Sequence, residues 1–319
     1  MKTLKKVMAF VMIATMLCSL IACGNTSGKY KIGVCQFAAF DALDDATRGF
    51  KDAVVEALGE ENVTFFEQNA QGDMTVCGTI INDFVSRNVD LIMANATPAV
   101  QQAYNATTKI PILGTSVTEY GVAMNIPDFS GVTGINVSGT SDLAPLDTQA
   151  QMILDWFPNA KKVGLLYCSA EANSLYQVGV VKAYLESKGV TCTEYKFSDS
   201  NDVAQITEKA AADSDVIYVP TDNTAASCAQ TIRNIILEKK VPVIAGEGSI
   251  CKAFGIATLS ISYYELGRVT GEMAVKVLKG EAKIEEMPIG YDTNPVLVYN
   301  PEVCDTLGIA PLAGYKAID

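Results

Sequence analysis

Apolar residues along this chain fall into short, nearly continuous runs separated by stretches with helical spacing. Residues 31–37 form the first such run and predict a strand; residues 43–58 follow with helical periodicity until Gly59 stops them. A strand is then predicted over 62–68, a helix capped by Asp73 and running through Val85, and a strand over 90–94. Thr97-Pro98 predicts a further helix start, with Thr97 as N-cap and Pro98 in the first helical position. Residues 110–114 and 132–137 add two strands. The succession then begins again: strand 163–167, helix 174–188 stopped by Gly189, strand 192–197, helix 203–212, strand 216–219, helix 224–238 and strand 241–245. Apolar strands alternating with helices in this way predict parallel sheets covered by helices on both faces.

The alternation occurs twice, and the two halves echo each other locally. Lys31-Ile32-Gly33-Val34 resembles Lys162-Val163-Gly164-Leu165, Asp90-Leu91-Ile92 resembles Asp215-Val216-Ile217, and Ile110-Pro111-Ile112 resembles Val241-Pro242-Val243. The offsets between these pairs are similar but not constant, which indicates a repeated domain topology and not a tandem solenoid. The expected fold class is α/β, with two similar doubly wound parallel-sheet lobes. Open parallel sheets bind ligands beyond the carboxyl ends of their strands. Two such edges facing each other make a cleft, and its loops are polar and rich in hydroxyls: residues 36–44, 69–73, 95–97, 115–116, 169–174, 221–224 and 246–248.

Charge and composition narrow the chemistry. The 319 residues carry 24 basic and 36 acidic side chains, a formal net charge of −12, and no histidine. An acidic chain with no Lys/Arg-rich stretch beyond its N-terminus does not suit nucleic acid. Without histidine there is no Ser-His-Asp or Cys-His dyad and no His-ligated zinc. The chain is expected to have no metal, no cofactor and no catalytic residue; an enzyme with paired carboxylates, as in glycosidases, is the alternative that composition leaves open.

The first residues point to export. Lys2, Lys5 and Lys6 precede an apolar run over 8–22, too short for a membrane span of ~20 residues and typical of a signal peptide. It ends in Leu20-Ile21-Ala22-Cys23, which resembles the bacterial lipobox. Residues 1–22 are therefore read as the signal peptide and 23–29 as a lipid-anchored linker, with Cys23 lipidated and the protein held on the outer face of the bacterial cytoplasmic membrane. Seven further cysteines, Cys35, Cys77, Cys168, Cys192, Cys228, Cys251 and Cys304, are scattered without C-x-x-C spacing and read as small buried hydrophobes.

Tyr218-Val219-Pro220-Thr221-Asp222-Asn223-Thr224, Ser169-Ala170-Glu171-Ala172-Asn173-Ser174 and Gln68-Asn69-Ala70-Gln71-Gly72-Asp73 jointly resemble the ABC-transporter substrate-binding lipoprotein family whose best-known members bind tryptophan and related aromatic amino acids. More broadly, the chain resembles type I periplasmic binding proteins. The resemblance implies a monomeric clamshell with three crossings, lobe 1 being residues 30–139 plus 261–285 and lobe 2 residues 140–260 plus 286–319. It also implies an ABC permease and its ATPase as partners. Family members often carry His-Pro-Ala-Leu-Asp after the first strand, where this chain has Phe40-Asp41-Ala42-Leu43-Asp44.

A zwitterionic aromatic amino acid makes three demands. Its carboxylate needs helix N-termini and hydroxyls, for which Asn173-Ser174 and Thr97-Pro98 are candidates; Ala96, Thr115, Ser116, Glu171 and Ala172 are further ligand-binding candidates in the same loops. Its ammonium needs a carboxylate, for which Asp222 and Glu247 stand at strand ends, with Asn223 and Thr224 beside Asp222. Its ring needs an apolar wall, from Phe37, Phe40 or Tyr167. Gln71, Gly72 and Asp73 complete the candidate set. Each has a plainer role as a cap, turn or core residue. A nucleoside, a sugar, a non-aromatic amino acid, or a sensor ectodomain without transport are the remaining readings.

Overall fold

A computed structural model describes residues 30–318 apart from residue 293; the signal-like segment and the linker, Cys23 included, lie outside the described residues. The first lobe contains β1 (Tyr30–Gln36), α1 (Asp41–Leu58), β2 (Val63–Asn69), α2 (Met74–Ser86), β3 (Leu91–Asn95), α3 (Thr97–Ala106), β4 (Ile112–Val117), α4 (Tyr120–Met124) and β5 (Val137–Ser141). The second contains α5 (Leu146–Trp156), β6 (Lys162–Cys168), α6 (Ala172–Ser187), β7 (Thr191–Phe197), α7 (Val203–Asp213), β8 (Val216–Val219), α8 (Asn223–Ser227), α9 (Ala229–Lys239), β9 (Val243–Ala245), α10 (Gly248–Phe254) and β10 (Ala257–Ser260). The chain then returns to the first lobe as α11 (Tyr263–Leu278) and β11 (Gly290–Tyr291), and ends in the second as β12 (Val296–Tyr299), α12 (Pro301–Leu307) and β13 (Lys316–Ala317).

The sheets run β11-β5-β4-β3-β1-β2 and β13-β12-β10-β9-β8-β6-β7. Every strand pair is parallel except β10 with β12. Each lobe thus has its first five strands in the order 2-1-3-4-5, the doubly wound arrangement with a switch point between its first and third strands. The sequence echo has a physical basis in the two aspartates. Asp90 accepts the Lys31 N–H at 2.7 Å, and Asp215 accepts the Lys161 and Lys162 N–H groups at 2.8 and 2.9 Å. The same carboxylate pins the start of the same strand in both lobes.

Apolar side chains cover both faces of each sheet. In the first lobe Ile32, Val34 and Met93 pack with Phe50 and Met273 on one face, while Cys35, Ile92 and Ala94 pack with Ile81 and Phe84 on the other. Helices α1 and α11 approach almost backbone to backbone: a Cβ on Gly49 would lie 2.1 Å from the Tyr264 carbonyl oxygen, and one on Gly267 2.1 Å from that of Ala46. These two glycines are what lets the returning α11 dock on the first lobe.

The structure departs from the sequence pattern in four places. The fifth strand is Val137–Ser141 and not 132–137. Its hydroxyls are buried and paired, Ser138 with the Met287 carbonyl at 3.1 Å and Thr140 with Thr270 at 2.8 Å, so it carries no apolar signature. Thr133 instead donates to the Val137 carbonyl and folds 132–136 into a turn. The first crossing therefore follows Ser141, two residues beyond 139, and the third follows Tyr291, beyond 285, because β11 still pairs with β5. The helix expected over 224–238 is two helices meeting at Cys228 (φ −99°, ψ 17°): the N-terminus of α8 is held by side chains of the second-lobe edge, whereas α9 packs on α7. Finally, the N-cap of α3 is Ala96, at φ 90° and ψ 155°, and Thr97 is its first helical residue.

Gly139 sits at φ 142°, and a Cβ there would lie 1.9 Å from the Gly114 carbonyl oxygen of the neighbouring strand. Gly139→Ala is expected to cost roughly 2 kcal/mol or more of folding free energy, read by chemical denaturation. Unchanged stability would contradict this account of the β4–β5 approach.

Candidate functional site

The two carboxyl edges face each other, with α3 and α4 of the first lobe lying against α6 of the second. Between them are two cavities. The inner one, about 10 Å³, is lined from the first lobe by Phe40, Leu43, Ser116 and Thr118, from the second by Asn173, Thr221, Asp222, Asn223, Ala226 and Glu247, and by Asp142 and Tyr263 from the crossings. The outer one, about 490 Å³, is lined by Phe37, Gln71, Gly72, Asp73 and Pro98 on one side and by Glu171, Asn223, Thr224 and residues 198–201 on the other. Asn223 belongs to both. No lysine or arginine lines either cavity.

The buried acids are satisfied in different ways. Glu171 accepts five bonds: from Asn173 Nδ2 at 3.0 Å, from the Asn223 N–H and Nδ2 at 3.1 and 2.7 Å, and from the Thr224 N–H and hydroxyl at 2.9 and 2.8 Å. Asp222 caps α8 through the Ala225 N–H at 2.8 Å, and its second oxygen accepts the Cys168 N–H and the Ser174 hydroxyl, both at 2.7 Å. Burial first, and then the nearby Glu171 carboxylate, push the Asp222 pKa up to about 8. Glu247 caps α10 through the Ser249 and Ile250 N–H groups and the Ser249 hydroxyl; burial raises its pKa.

Asp142 differs. Its Oδ2 accepts the Tyr263 hydroxyl at 3.1 Å, tying the first crossing to the second, but its buried Oδ1 has no partner. Burial pushes its pKa up to about 6. Two other buried polar atoms without partners, Ser116 Oγ and Asn173 Oδ1, line the same inner cavity. Ser116 stands at φ 56° where the β4–β5 register shifts between Gly114 and Val117. Such an irregularity re-aims a side chain that a regular strand would point elsewhere. The inner cavity therefore presents two bare acceptors and a hydroxyl, with a negative group among them.

Of the residues singled out from sequence, Phe40, Ser116, Asn173, Asp222, Asn223 and Glu247 border the inner cavity, and Phe37, Gln71, Gly72, Asp73, Glu171 and Thr224 the outer one. Asp222 and Glu247, the candidates for an ammonium, already have oxygens on helix N-termini, whereas Asp142 has an oxygen without a partner. Asp73 likewise caps α2 through the Thr75 and Val76 N–H groups. Tyr167 is not a cleft wall: it lies in the second-lobe core with its hydroxyl on Glu194 at 2.6 Å. Ala96, Thr97, Thr115, Ala172 and Ser174 border neither cavity. Thr115 pairs with Thr140 inside the first sheet, and Ser174 positions Asp222. Sequence reasoning did not place Asp142, Thr118, Thr221 or Tyr263 among the cavity residues. Asp142 follows directly on the hydroxyl-rich strand that the apolar pattern misplaced.

Two outcomes follow for stability. Glu171→Ala leaves five donors without their acceptor and is expected to cost roughly 3–5 kcal/mol in denaturant titration; a cost under ~1 kcal/mol would mean water replaces the carboxylate. For Asp142, a folded pKa of about 6 against an ordinary 3.8 means that the unfolded chain loses its proton first as pH rises. Its contribution is fully present below the unfolded value and is lost by about pH 6, up to ~3 kcal/mol for the protein alone. The stability difference between wild type and Asp142→Asn should therefore change in favour of the variant between pH 4 and 7. A difference that stays constant would contradict a desolvated Asp142.

Comparison with known proteins places this geometry. The profile of the family described as ABC transporter substrate binding protein matches residues 31–311. The chain is 33% identical over 328 aligned positions to a tyrosine-binding protein of Clostridioides difficile (strain R20291), covering 98% of this chain and 94% of that one. Among solved structures it is similar to an ABC domain from Streptococcus pneumonia in complex with L-Trp, with 32% identity, a TM-score of 0.84, and 89% and 96% of the two chains covered. A ligand-free, open structure of a substrate-binding protein with adhesive properties from Clostridium difficile has 35% identity but a TM-score of 0.67, covering 91% of this chain and all of the other. The TM-score is thus higher to the L-Trp complex than to the ligand-free, open structure, although the identity to the latter is higher.

Proposed function

Because the chain belongs to the ABC transporter substrate-binding protein family, a non-enzymatic, extracytoplasmic class with the type I periplasmic binding protein fold, we propose that its solute is an aromatic amino acid. The observation that carries this reading is Asp142 Oδ1, a buried carboxylate oxygen without a partner at the floor of an interlobe cavity that no basic side chain lines. Such an oxygen is suited to an ammonium, which brings several donors and a positive charge to a site holding Ser116 Oγ and Asn173 Oδ1 as well. A neutral sugar or nucleoside offers hydroxyl donors to it but no positive charge.

The other parts of an amino acid also have counterparts. Helix α6 starts at the cleft with no side-chain cap, so its N-terminal N–H groups and the Ser116 hydroxyl suit a carboxylate. Phe40 and Phe37 offer apolar surface to a ring, and the outer cavity beyond them is lined by Gln71, Asp73, Ser198 and Asn201. That polar far wall favours an aromatic side chain with a polar tip, tyrosine or tryptophan, over phenylalanine. Two relatives, one named as a tyrosine-binding protein and one solved in complex with L-Trp, agree with this class. Phe40 packs against apolar clusters of both lobes. With the inner cavity only about 10 Å³, entry of the ligand requires the lobes to part, and closure over it would be driven by contacts made only in the closed state.

In this reading the protein is a monomer, tethered through lipidated Cys23 to the outer face of the cytoplasmic membrane, and delivers its ligand to an ABC permease and ATPase. No helix among the described residues is long and apolar enough to cross a membrane. The test is calorimetric titration of the chain from residue 24 with L-tyrosine, L-tryptophan, L-phenylalanine, a nucleoside panel and a sugar panel. L-Tyrosine or L-tryptophan is expected to bind, with Asp142→Asn weakening it at least tenfold at pH 7. Binding of a nucleoside or sugar with all amino acids silent would overturn the ligand class, and undiminished binding by Asp142→Asn would overturn the ammonium site.

A further inference from the structure

Cys35, the last residue but one of β1, and Cys77, in the first turn of α2, bring their sulfurs to 3.6 Å although 42 residues separate them in sequence. Both side chains are fully buried. All seven cysteines among the described residues are free thiols, and no other two sulfurs among them make such a contact. We propose that Cys35 and Cys77 are a redox pair that closes to a disulfide outside the cytoplasm.

The contact is already van der Waals distance for two sulfurs, so closure needs side-chain rotation more than strand or helix movement. Either sulfur can be the donor across the contact. Cys77 stands in the first turn of α2, where a helix N-terminus favours a thiolate, so it is the attacking sulfur and Cys35 the resolving one. Written with a low-molecular-weight disulfide as oxidant, the Cys77 thiolate attacks one of its sulfurs, and the other sulfur leaves as a thiolate. Cys35 then gives up its proton and attacks the Cys77 sulfur of the mixed disulfide, expelling the second thiolate. Two cysteine thiols become one disulfide, two electrons pass to the oxidant, and two small thiols are formed.

The position gives the bond a consequence. Met74 and Thr75, in the same first turn as Cys77, line the outer interlobe cavity. The loop before them is hung on β1 by the bonds from the Ala70 N–H to the Gln36 carbonyl (2.9 Å) and from the Gly72 N–H to the Phe37 carbonyl (2.8 Å). A Cys35–Cys77 bond would staple β1 to α2 directly behind that wall and hold the first-lobe edge of the cleft rigid. Oxidation during folding after export gives access to thiols that the folded lobe buries.

The experiment refolds the chain from residue 24 in a reduced/oxidised glutathione buffer, then alkylates the denatured product and measures its mass and peptide map. The expected result is two fewer alkylated thiols than in the reduced chain, a Cys35–Cys77 peptide, and a raised Tm relative to the reduced protein. In Cys35→Ser, Cys77 should carry a glutathione adduct that cannot resolve. Full alkylation of every cysteine, or a disulfide among the other five with Cys35 and Cys77 free, would overturn the proposal. If refolding fails, the same count on protein exported by an expressing bacterium and alkylated before purification decides between these outcomes.

Discussion

Three acidic side chains, Asp142, Asp222 and Glu247, are buried around one small cavity between two lobes, and no basic side chain lines it. An ionised carboxylate in such a place must be met by donors or must take up a proton. Asp222 and Glu247 are met from within the fold, each capping a helix of the second lobe. Asp142 has the Tyr263 hydroxyl on Oδ2 and the Thr118 hydroxyl nearby, but its Oδ1 has no partner. That imbalance makes the inner cavity receptive to a positive donor, and it lies on the crossing segments about which the lobes would move.

The rest of the architecture serves to bring this group to that point. Two sheets of the same strand order present their carboxyl edges to each other, and the polar loops of both meet there. The second lobe supplies a rigid edge, because Glu171 ties α6 to α8 and Asp222 ties α8 to β6 and α6. The first lobe supplies Phe40 and, through an irregularity in β4, Ser116. The nearly glycine-to-backbone packing of α11 on α1 fixes the returning segment that carries Tyr263. The inner cavity is thus built by the crossings as much as by either lobe.

Most of the architecture was legible in the residues, since apolar strands and helical spacing survive wherever burial is apolar. The echo of Asp90 in Asp215 marked the duplicated lobe because both do the same hydrogen-bonding work. What the pattern hid was burial achieved by pairing. The strand Val137–Ser141 is entirely buried yet consists largely of hydroxyl residues and glycine, so its position slipped and Asp142 after it was passed over. The same limit explains the carboxylates. Residue type and strand-end position identify Asp222 and Glu247 as near the cleft, but only the fold shows that helix N–H groups have already taken their oxygens. Tyr167 failed for a simpler reason: its place in strand β6 turns it to the core face, where Glu194 receives its hydroxyl.

The most direct test of the central claim is a crystal structure of the chain from residue 24 grown with L-tyrosine. The account predicts the ligand ammonium within about 2.7–3.0 Å of Asp142 Oδ1, with the ring against Phe40 or Phe37 and its hydroxyl towards the outer cavity. An ammonium seated on Asp222 or Glu247, or a ligand carboxylate facing the crossings, would contradict it.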